Sequence, residues 1–265
     1  LNGYTLSQTA KQTGAHSMIV NNGNLTIVDN KGNGKISYSD TGNGGEYVSN
    51  TIVNNGRVVI ESGVIENNSS ATVASNGYPH PVDNNGELII NGGTLTNNAN
   101  YASMRIWCTT DDDTSVTING GTFNGSIDFQ TPNAFANKGT LTINRGTFNA
   151  DTYTKCAVRL LGFGADVDEM NGYILGGHFN GAIALKNWSG SELNSKVFDI
   201  TAGTFTTAAK EGTDIALVND DYAWVETENN LWTVERKPVI AKIGQTEYRV
   251  LQKAFDAVDN GTIDL

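Results

Sequence analysis

The chain has 265 residues, 17 Lys+Arg against 28 Asp+Glu and a net charge of −11, so it is acidic but, with 17% charged residues, sparsely so. Roughly one residue in four is glycine or asparagine, and only four are proline. These residue types make poor helices. The glycines show no three-residue period, which excludes collagen, and 38% hydrophobic residues exclude a flexible linker. No apolar run approaches the ~20 residues of a membrane-spanning helix. The acidic balance disfavours nucleic acid and anionic membrane surfaces as partners.

An internal repeat organises the chain. Asn55–Ile65, Asn85–Leu95, Ser115–Phe123, Lys138–Phe148, Gly172–Phe179 and Val197–Phe205 align, and Gly23–Ile27 is a weaker copy. Their shared glycine falls at 63, 93, 121, 146, 177 and 203, on average about 28 residues apart, a period typical of repeat architectures. Each copy is a short alternating strand, a glycine turn and a further apolar residue. The alternation predicts one buried face, made of Val58, Ile60, Ile65, Leu88, Ile90, Leu95, Val116, Ile118, Phe123, Leu141, Ile143, Phe148, Phe198, Ile200 and Phe205. One copy is too small to bury that face alone, and stacking copies makes a continuous core. The period predicts an all-β, parallel β-helix of about seven to nine rungs over 1–212. A propeller blade would need ~40–45 residues, and a sandwich lacks such a recurrence. Glycine and asparagine are expected at the corners, where positive φ is needed.

After about Thr213 the repeat fades. Asp221–Thr227 and Leu231–Glu235 flank Glu228-Asn229-Asn230 and read as a capping hairpin over 213–236. Trp224 and Trp232 are the expected covering residues. Beyond Lys237-Pro238, Leu251, Ala254, Phe255 and Val258 stand at helical spacing and predict about three helical turns within 247–259. Thr262–Leu265 is expected to begin another strand.

Here the chain resembles a known family. Ile240–Gly244 with Leu251–Val258 looks like the N-terminal cap of pectate-lyase-like right-handed β-helix domains in repetitive surface proteins of Gram-positive bacteria. The repeat Leu141-Thr142-Ile143-Asn144-Arg145-Gly146-Thr147-Phe148 is similar to theirs, and Leu1–Leu6 resembles the rung that follows such a cap. The resemblance implies a right-handed β-helix in an extracellular, cell-surface or wall-bound protein. It also implies that 237–265 is the start of the next unit of a tandem array. The function it implies is non-catalytic and adhesin-like, with a host protein (an immunoglobulin among them) or a glycan as partner and neighbouring modules alongside. The rival readings are a lyase or hydrolase of acidic polysaccharide and a structural spacer.

Candidate sites follow from residue type. Asp111, Asp112 and Asp113 form the strongest carboxylate cluster and are the candidate Ca²⁺ ligands, although adjacent side chains alternate sides and rarely all reach one ion. No other cofactor is implied. Arg105 and Arg159 are the basic groups available to a lyase of the resembling type, and Asp128, Asp151, Asp166 and Asp168 are loose candidates for a carboxylate pair. Asp29–Asp40 resembles a calcium loop, but Lys31 occupies a ligand position and no helix flanks it, so it reads as a rung corner. His16, His80 and His178 are mutually distant and lie at no metal-binding spacing. His178 stands where other copies have threonine and is expected to face outward. Cys108 and Cys156 fall two turns apart and are expected to be free, buried thiols. Tyr47, Tyr78, Tyr101, Trp107, Tyr153 and Trp188 lie outside the core positions. Of these, Tyr78, Tyr101, Trp107, Tyr153 and Trp188 are, with His80, the candidate binding residues, the aromatics serving as stacking surfaces. The 70–84 stretch is the expected protrusion.

Overall fold

A computed structural model of the chain describes residues 1–10, 17–40, 49–69, 79–99, 101–108, 114–131, 138–151, 155–162, 169–187, 198–206, 218 and 220–258. Within them the chain winds through three parallel sheets in turn and returns to the first, so that each circuit stacks on the last. The first sheet runs through Thr5–Ala10, Lys35–Asp40, Val64–Asn67, Thr94–Asn97, Thr122–Asn124, Thr147–Asn149, His178–Asn180 and Thr204–Phe205. The second holds Ile19–Asn21, Ile52–Asn54, Val82–Asn84, Met104–Trp107, Ile127–Gln130, Cys156–Gly162 and Ala182–Asn187. The third holds Asn24–Ile27, Arg57–Ile60, Glu87–Ile90, Thr114–Ile118, Lys138–Ile143, Glu169–Ile174 and Phe198–Ile200. This is a parallel β-helix, the expected fold class.

Register explains the core. Leu6, Ile36, Ile65, Leu95, Phe123, Phe148, Phe179 and Phe205 occupy one position of the first sheet in successive circuits. The four phenylalanines stack nearly parallel, with centroids 4.7–4.8 Å apart, which is the strand spacing of a sheet. All fifteen residues expected in the core are buried.

The corner between the third and first sheets carries the repeat glycine. Gly63, Gly93, Gly121, Gly146, Gly177 and Gly203 all have positive φ. At Gly93 a Cβ would also lie 2.7 Å from the Gly63 carbonyl of the circuit before, so both backbone conformation and close stacking require glycine. The asparagines do a different job from the one expected. Few adopt positive φ among the described residues. Most form side-chain ladders that satisfy amides at the corners. Asn21 donates to Asn54 (2.8 Å) and Asn54 to Asn84 (2.7 Å) between the second and third sheets. On the opposite corner Asn119 donates to Asn91 and Asn144 to Asn119 (2.8 and 2.9 Å).

Tyr222–Glu226 and Trp232–Arg236 form the expected hairpin, and its second strand pairs antiparallel with Thr204–Phe205. Trp224 meets the Phe205 ring edge-on at 4.9 Å, closing that end of the phenylalanine stack. Beyond it, Ala241–Ile243 and Thr246–Tyr248 make a small hairpin against the helix Leu251–Asp256. That helix is shorter than the three turns expected. Its N-terminal neighbours are held as strand, and Val250 at the cap is extended with no side-chain cap bond, so no residue there satisfies the first N–H groups. Thr262–Leu265 lies outside the described residues.

Candidate functional site

The three corners differ in length. From the second circuit on, the third sheet returns to the first through three residues each time: 61–63, 91–93, 119–121, 144–146, 175–177 and 201–203. The long connections fall on the two margins of the second sheet. They are 11–18, 41–51, 68–81, 98–103 and 150–155 on one side, and 108–113, 131–137, 163–168 and 188–197 on the other. The second sheet is therefore the one that long connections flank on both margins.

That face carries an ordered stack of charge. Register places Asp83, Arg105, Asp128 and Arg159 on four successive strands at one outward position. Each arginine grips the aspartate of the preceding circuit with two parallel bonds. Arg105 donates to Asp83 from Nε (2.8 Å) and Nη2 (2.5 Å). Arg159 donates to Asp128 from Nε (2.6 Å) and Nη2 (2.7 Å). Such bidentate pairs combine charge with fixed geometry. Ser126 adds a bond to Asp128 (2.9 Å) and Asn50 one to Asp83 (2.9 Å).

Aromatic rings close over the stack. Arg159 Nη2 also donates to the Tyr101 hydroxyl (2.8 Å), and its guanidinium lies 5.4 Å from the Tyr101 ring. The Arg105 guanidinium sits 4.4 Å over Trp107, which is half-buried, a cation–π contact. His80 meets Tyr101 edge-on at 5.6 Å. Its backbone N–H donates to Asn50 (2.9 Å), whose oxygen also faces the His80 Nδ1 at 3.3 Å. Nε2 of His80 is buried without a partner. Burial, reinforced by the charges of Arg105 and Arg159, holds the imidazole pKa well below its ordinary value. Burial works against the charge on Arg159, but the Asp128 carboxylate and the bonds to it and to Tyr101 outweigh that effect and raise its pKa further. Arg159 is thus a permanent cation and unsuited to accept a proton.

The candidate binding residues divide. His80 and Tyr101 come together in this network, but both are buried, at 2% and 3% exposure, whereas exposed stacking surfaces were expected. They lie off the repeat's core positions yet are buried against the charge stack. Trp107 stands beside them and keeps partial exposure. Tyr78, Tyr153 and Trp188 lie outside the described residues, as do Asp111, Asp112 and Asp113. Among the described residues no cluster of three metal-ligating side chains occurs. Of the 70–84 stretch, Val82–Asn84 is a regular second-sheet strand and not part of a protrusion.

Of the other sequence candidates, Asp166, Asp168, His16 and Tyr47 lie outside the described residues, and the rest have these places. Asp29 is a rung corner: its carboxylate accepts the backbone N–H groups of Gly3 (2.6 Å) and Gly34 (2.7 Å). Burial raises its pKa, but these bonds and one from Lys31 prevail and lower it. His178 faces outward, with Nδ1 2.7 Å from the Thr204 hydroxyl. Neither cysteine is in a disulfide; Cys108 is buried and Cys156 only partly so. Asp151 accepts the Ser126 N–H (3.3 Å) beside the charge stack.

Asp83 was not among the sequence candidates, and neither was the alternation of sign. A signal was present. In Val82-Asp83, Met104-Arg105-Ile106, Ile127-Asp128-Phe129 and Val158-Arg159-Leu160 a single charge follows or interrupts apolar residues, with opposite sign in successive copies. No family model, no curated protein and no solved structure matches the chain.

Proposed function

We propose that the chain is a non-catalytic, adhesin-like binding module of a repetitive bacterial surface protein, and that it contacts a host protein, such as an immunoglobulin, or a glycan through the outer face of the second sheet. One observation carries this reading: the sheet flanked by nearly all the long connections bears on its outer face a charge stack that is already neutralised within itself. Two aspartates and two arginines pair with one another, and Asp128 is wholly buried. A general acid or base must reach a substrate proton, and these groups are turned to each other. A self-neutral strip with Trp107 at its margin favours a ligand recognised by shape, stacking and hydrogen bonds over one drawn in by charge. That weighs against the rival reading, a lyase or hydrolase of acidic polysaccharide. The surface-protein and pectate-lyase-like assignment rests on the sequence resemblance.

The experiment is capture from host mucosal secretions and on a glycan array, comparing the wild-type chain with Trp107→Ala. Retention of a ligand by the wild type and its loss in the variant is the expected result. Release of oligosaccharides from acidic polysaccharides, with or without Ca²⁺, would instead establish the rival. A wild type that retains nothing on either surface would leave the spacer reading in its place.

A further inference from the structure

His80 is buried in the second-sheet face with its ring held in one tautomer. The Asn50 side chain donates from Nδ2 to Asp83 (2.9 Å), which leaves its oxygen to accept the His80 backbone N–H (2.9 Å). His80 Nδ1 faces that same oxygen at 3.3 Å. Nδ1 therefore carries the ring hydrogen, and Nε2 is a bare lone pair that no donor reaches. A second proton at Nε2 would find no acceptor. Positive charge already surrounds the ring, from Arg105 on Met104–Trp107 and Arg159 on Cys156–Gly162. The titratable Tyr101 meets it edge-on at 5.6 Å and donates no charge at neutral pH. The acids of this face, Asp83 on Val82–Asn84 and Asp128 on Ile127–Gln130, are each held by two bonds from those arginines. On its own segment the neighbours are the uncharged Pro79 and Pro81. An imidazolium in this place has two like charges beside it and, among the described residues, no acid left to pair with.

The backbone around His80 is tied almost wholly through its carbonyls. The His80 carbonyl accepts the Thr51 N–H (2.9 Å) and Asn67 Nδ2 (3.3 Å), the Pro81 carbonyl the Ile52 N–H (3.0 Å), and the Pro79 carbonyl Asn97 Nδ2 (2.6 Å). The prolines have no N–H to give, and the His80 N–H goes to the Asn50 side chain. Thr51 and Pro81 stand at the same position of successive circuits, each just before the aligned pair Ile52 and Val82. Thr51 donates its N–H to the next circuit and Pro81 cannot repeat that bond; the carbonyl of Ala102 accepts from Asn97 Nδ2 instead (2.7 Å). The ladder between circuits is thus interrupted beside the histidine.

We infer that Pro79-His80-Pro81 is an acid-sensitive latch on the second-sheet face: as pH falls the segment swings away from Asn50 and Tyr101 while the β-helix behind it stays folded. Only the released ring can take the second proton, in water, so acid favours the released form. The closed latch is fully favoured above the ordinary imidazole value of about 6.5 and is weakened below it, the released population rising about tenfold per pH unit. Release uncovers Tyr101, and with it the Arg159 arm of the charge stack. That this regulates ligand binding rests on the reading of the face as a binding surface; the latch itself does not, and its test needs no ligand.

The test is native-state hydrogen exchange of the full chain, followed by NMR at pH 7.5 and 4.5 in rising sub-denaturing urea and corrected for the intrinsic pH dependence of exchange. The N–H groups of Thr51, Ile52 and His80 are expected to exchange through an opening insensitive to urea, as a local release is, and about a hundredfold more populated at the lower pH. The N–H groups of Asn91 and Asn119, bonded to the Ile60 and Ile90 carbonyls, should be better protected and should respond to urea. His80→Gln, shown by circular dichroism to be folded, should lose most of the hundredfold change. If that variant does not fold, the urea dependence and pH response of the wild type decide alone. The inference is overturned if the three N–H groups share the protection and urea dependence of Asn91, which would mean that His80 is released only by global unfolding. An opening that does not grow between pH 7.5 and 4.5, or a folded His80→Gln that keeps the full change, overturns it equally.

Discussion

The Asp128–Arg159 pair offers the sharpest test of how the second-sheet face is built. Asp128 has no solvent exposure and the Arg159 side chain 13%, and they share two bonds of 2.6 and 2.7 Å. Removing one partner strands a charge in a largely desolvated site. Asp128→Leu or Arg159→Met alone is therefore expected to cost about 3–5 kcal/mol. For a chain of this size that corresponds to a fall in Tm of roughly 6–20 °C. The double variant Asp128→Leu/Arg159→Met removes both charges together with their desolvation cost and should come within about 1 kcal/mol of wild type or exceed it. The Tyr101 hydroxyl and Ser126 then each lose one neutral-group bond, a smaller cost than stranding a charge. Urea denaturation of the four proteins, followed by tryptophan fluorescence, gives the coupling directly. The reasoning fails if either single variant loses less than about 1 kcal/mol, or if the double variant loses the sum of the two.

Three other outcomes follow from the same structure. Phe148, buried and stacked on both faces at 4.8 and 4.7 Å, should cost about 3–5 kcal/mol on change to alanine, whereas Leu6→Ala at the half-exposed end should cost under about 1.5 kcal/mol; denaturant midpoints compare the two. His80 is held neutral by burial and then by the charges of Arg105 and Arg159, so below pH 6.5 the unfolded chain takes up a proton that the folded chain refuses. Stability is therefore full above pH 6.5 and falls as pH drops, by up to about 1.4 kcal/mol per pH unit, until the depressed folded pKa is reached; urea titrations from pH 7.5 to 5 should show this slope reduced in His80→Gln. Burial pushes the Cys108 thiol up to about 12, so a thiol reagent at pH 8 should label partly exposed Cys156 first and Cys108 only when the chain unfolds.

The sequence made the solenoid readable because two simple constraints repeat in it. Apolar alternation marks interior positions, and a glycine marks each turn that needs positive φ. Neither depends on what lies in the long connections. The charge stack depends on little else. Asp83, Arg105, Asp128 and Arg159 come into line only after connections of different length have been subtracted from each circuit, and no local pattern states those lengths. His80 and Tyr101 stand outside the repeat positions and so read as exposed, although the surface that buries them is assembled from several circuits. The helix was overestimated for a related reason. Its apolar spacing is genuine, but the strand pairing of Ala241–Ile243 with Thr246–Tyr248 takes the residues that would have extended it.

The corners also determine where function can reside. At the third-to-first turn a Cβ would meet the backbone of the circuit before at Gly93 and Gly121 (2.7 and 3.0 Å) and the stacked phenylalanine rings at Gly146, Gly177 and Gly203 (3.0–3.1 Å), so the turn is tightly filled. In the early circuits the second-to-third corner is locked in the same way: a Cβ on Gly86 would lie 2.2 Å from the Gly56 carbonyl, and Asn21, Asn54 and Asn84 bind one another across it. Later that corner loses the glycine-asparagine turn, and Thr131, Gly139 and Cys108 replace it, with Cys108 packed where a Gly139 side chain would be. The connections lengthen there and only there on that side. Variation is thus confined to the margins of the second sheet by the packing of the corners themselves. The charge stack holds the strands between those margins in register, a rigid floor between two sets of loops. A scaffold built in this way can change the length of its connections without disturbing its core, which is why the fold is written so plainly in the sequence and the role of those connections is not.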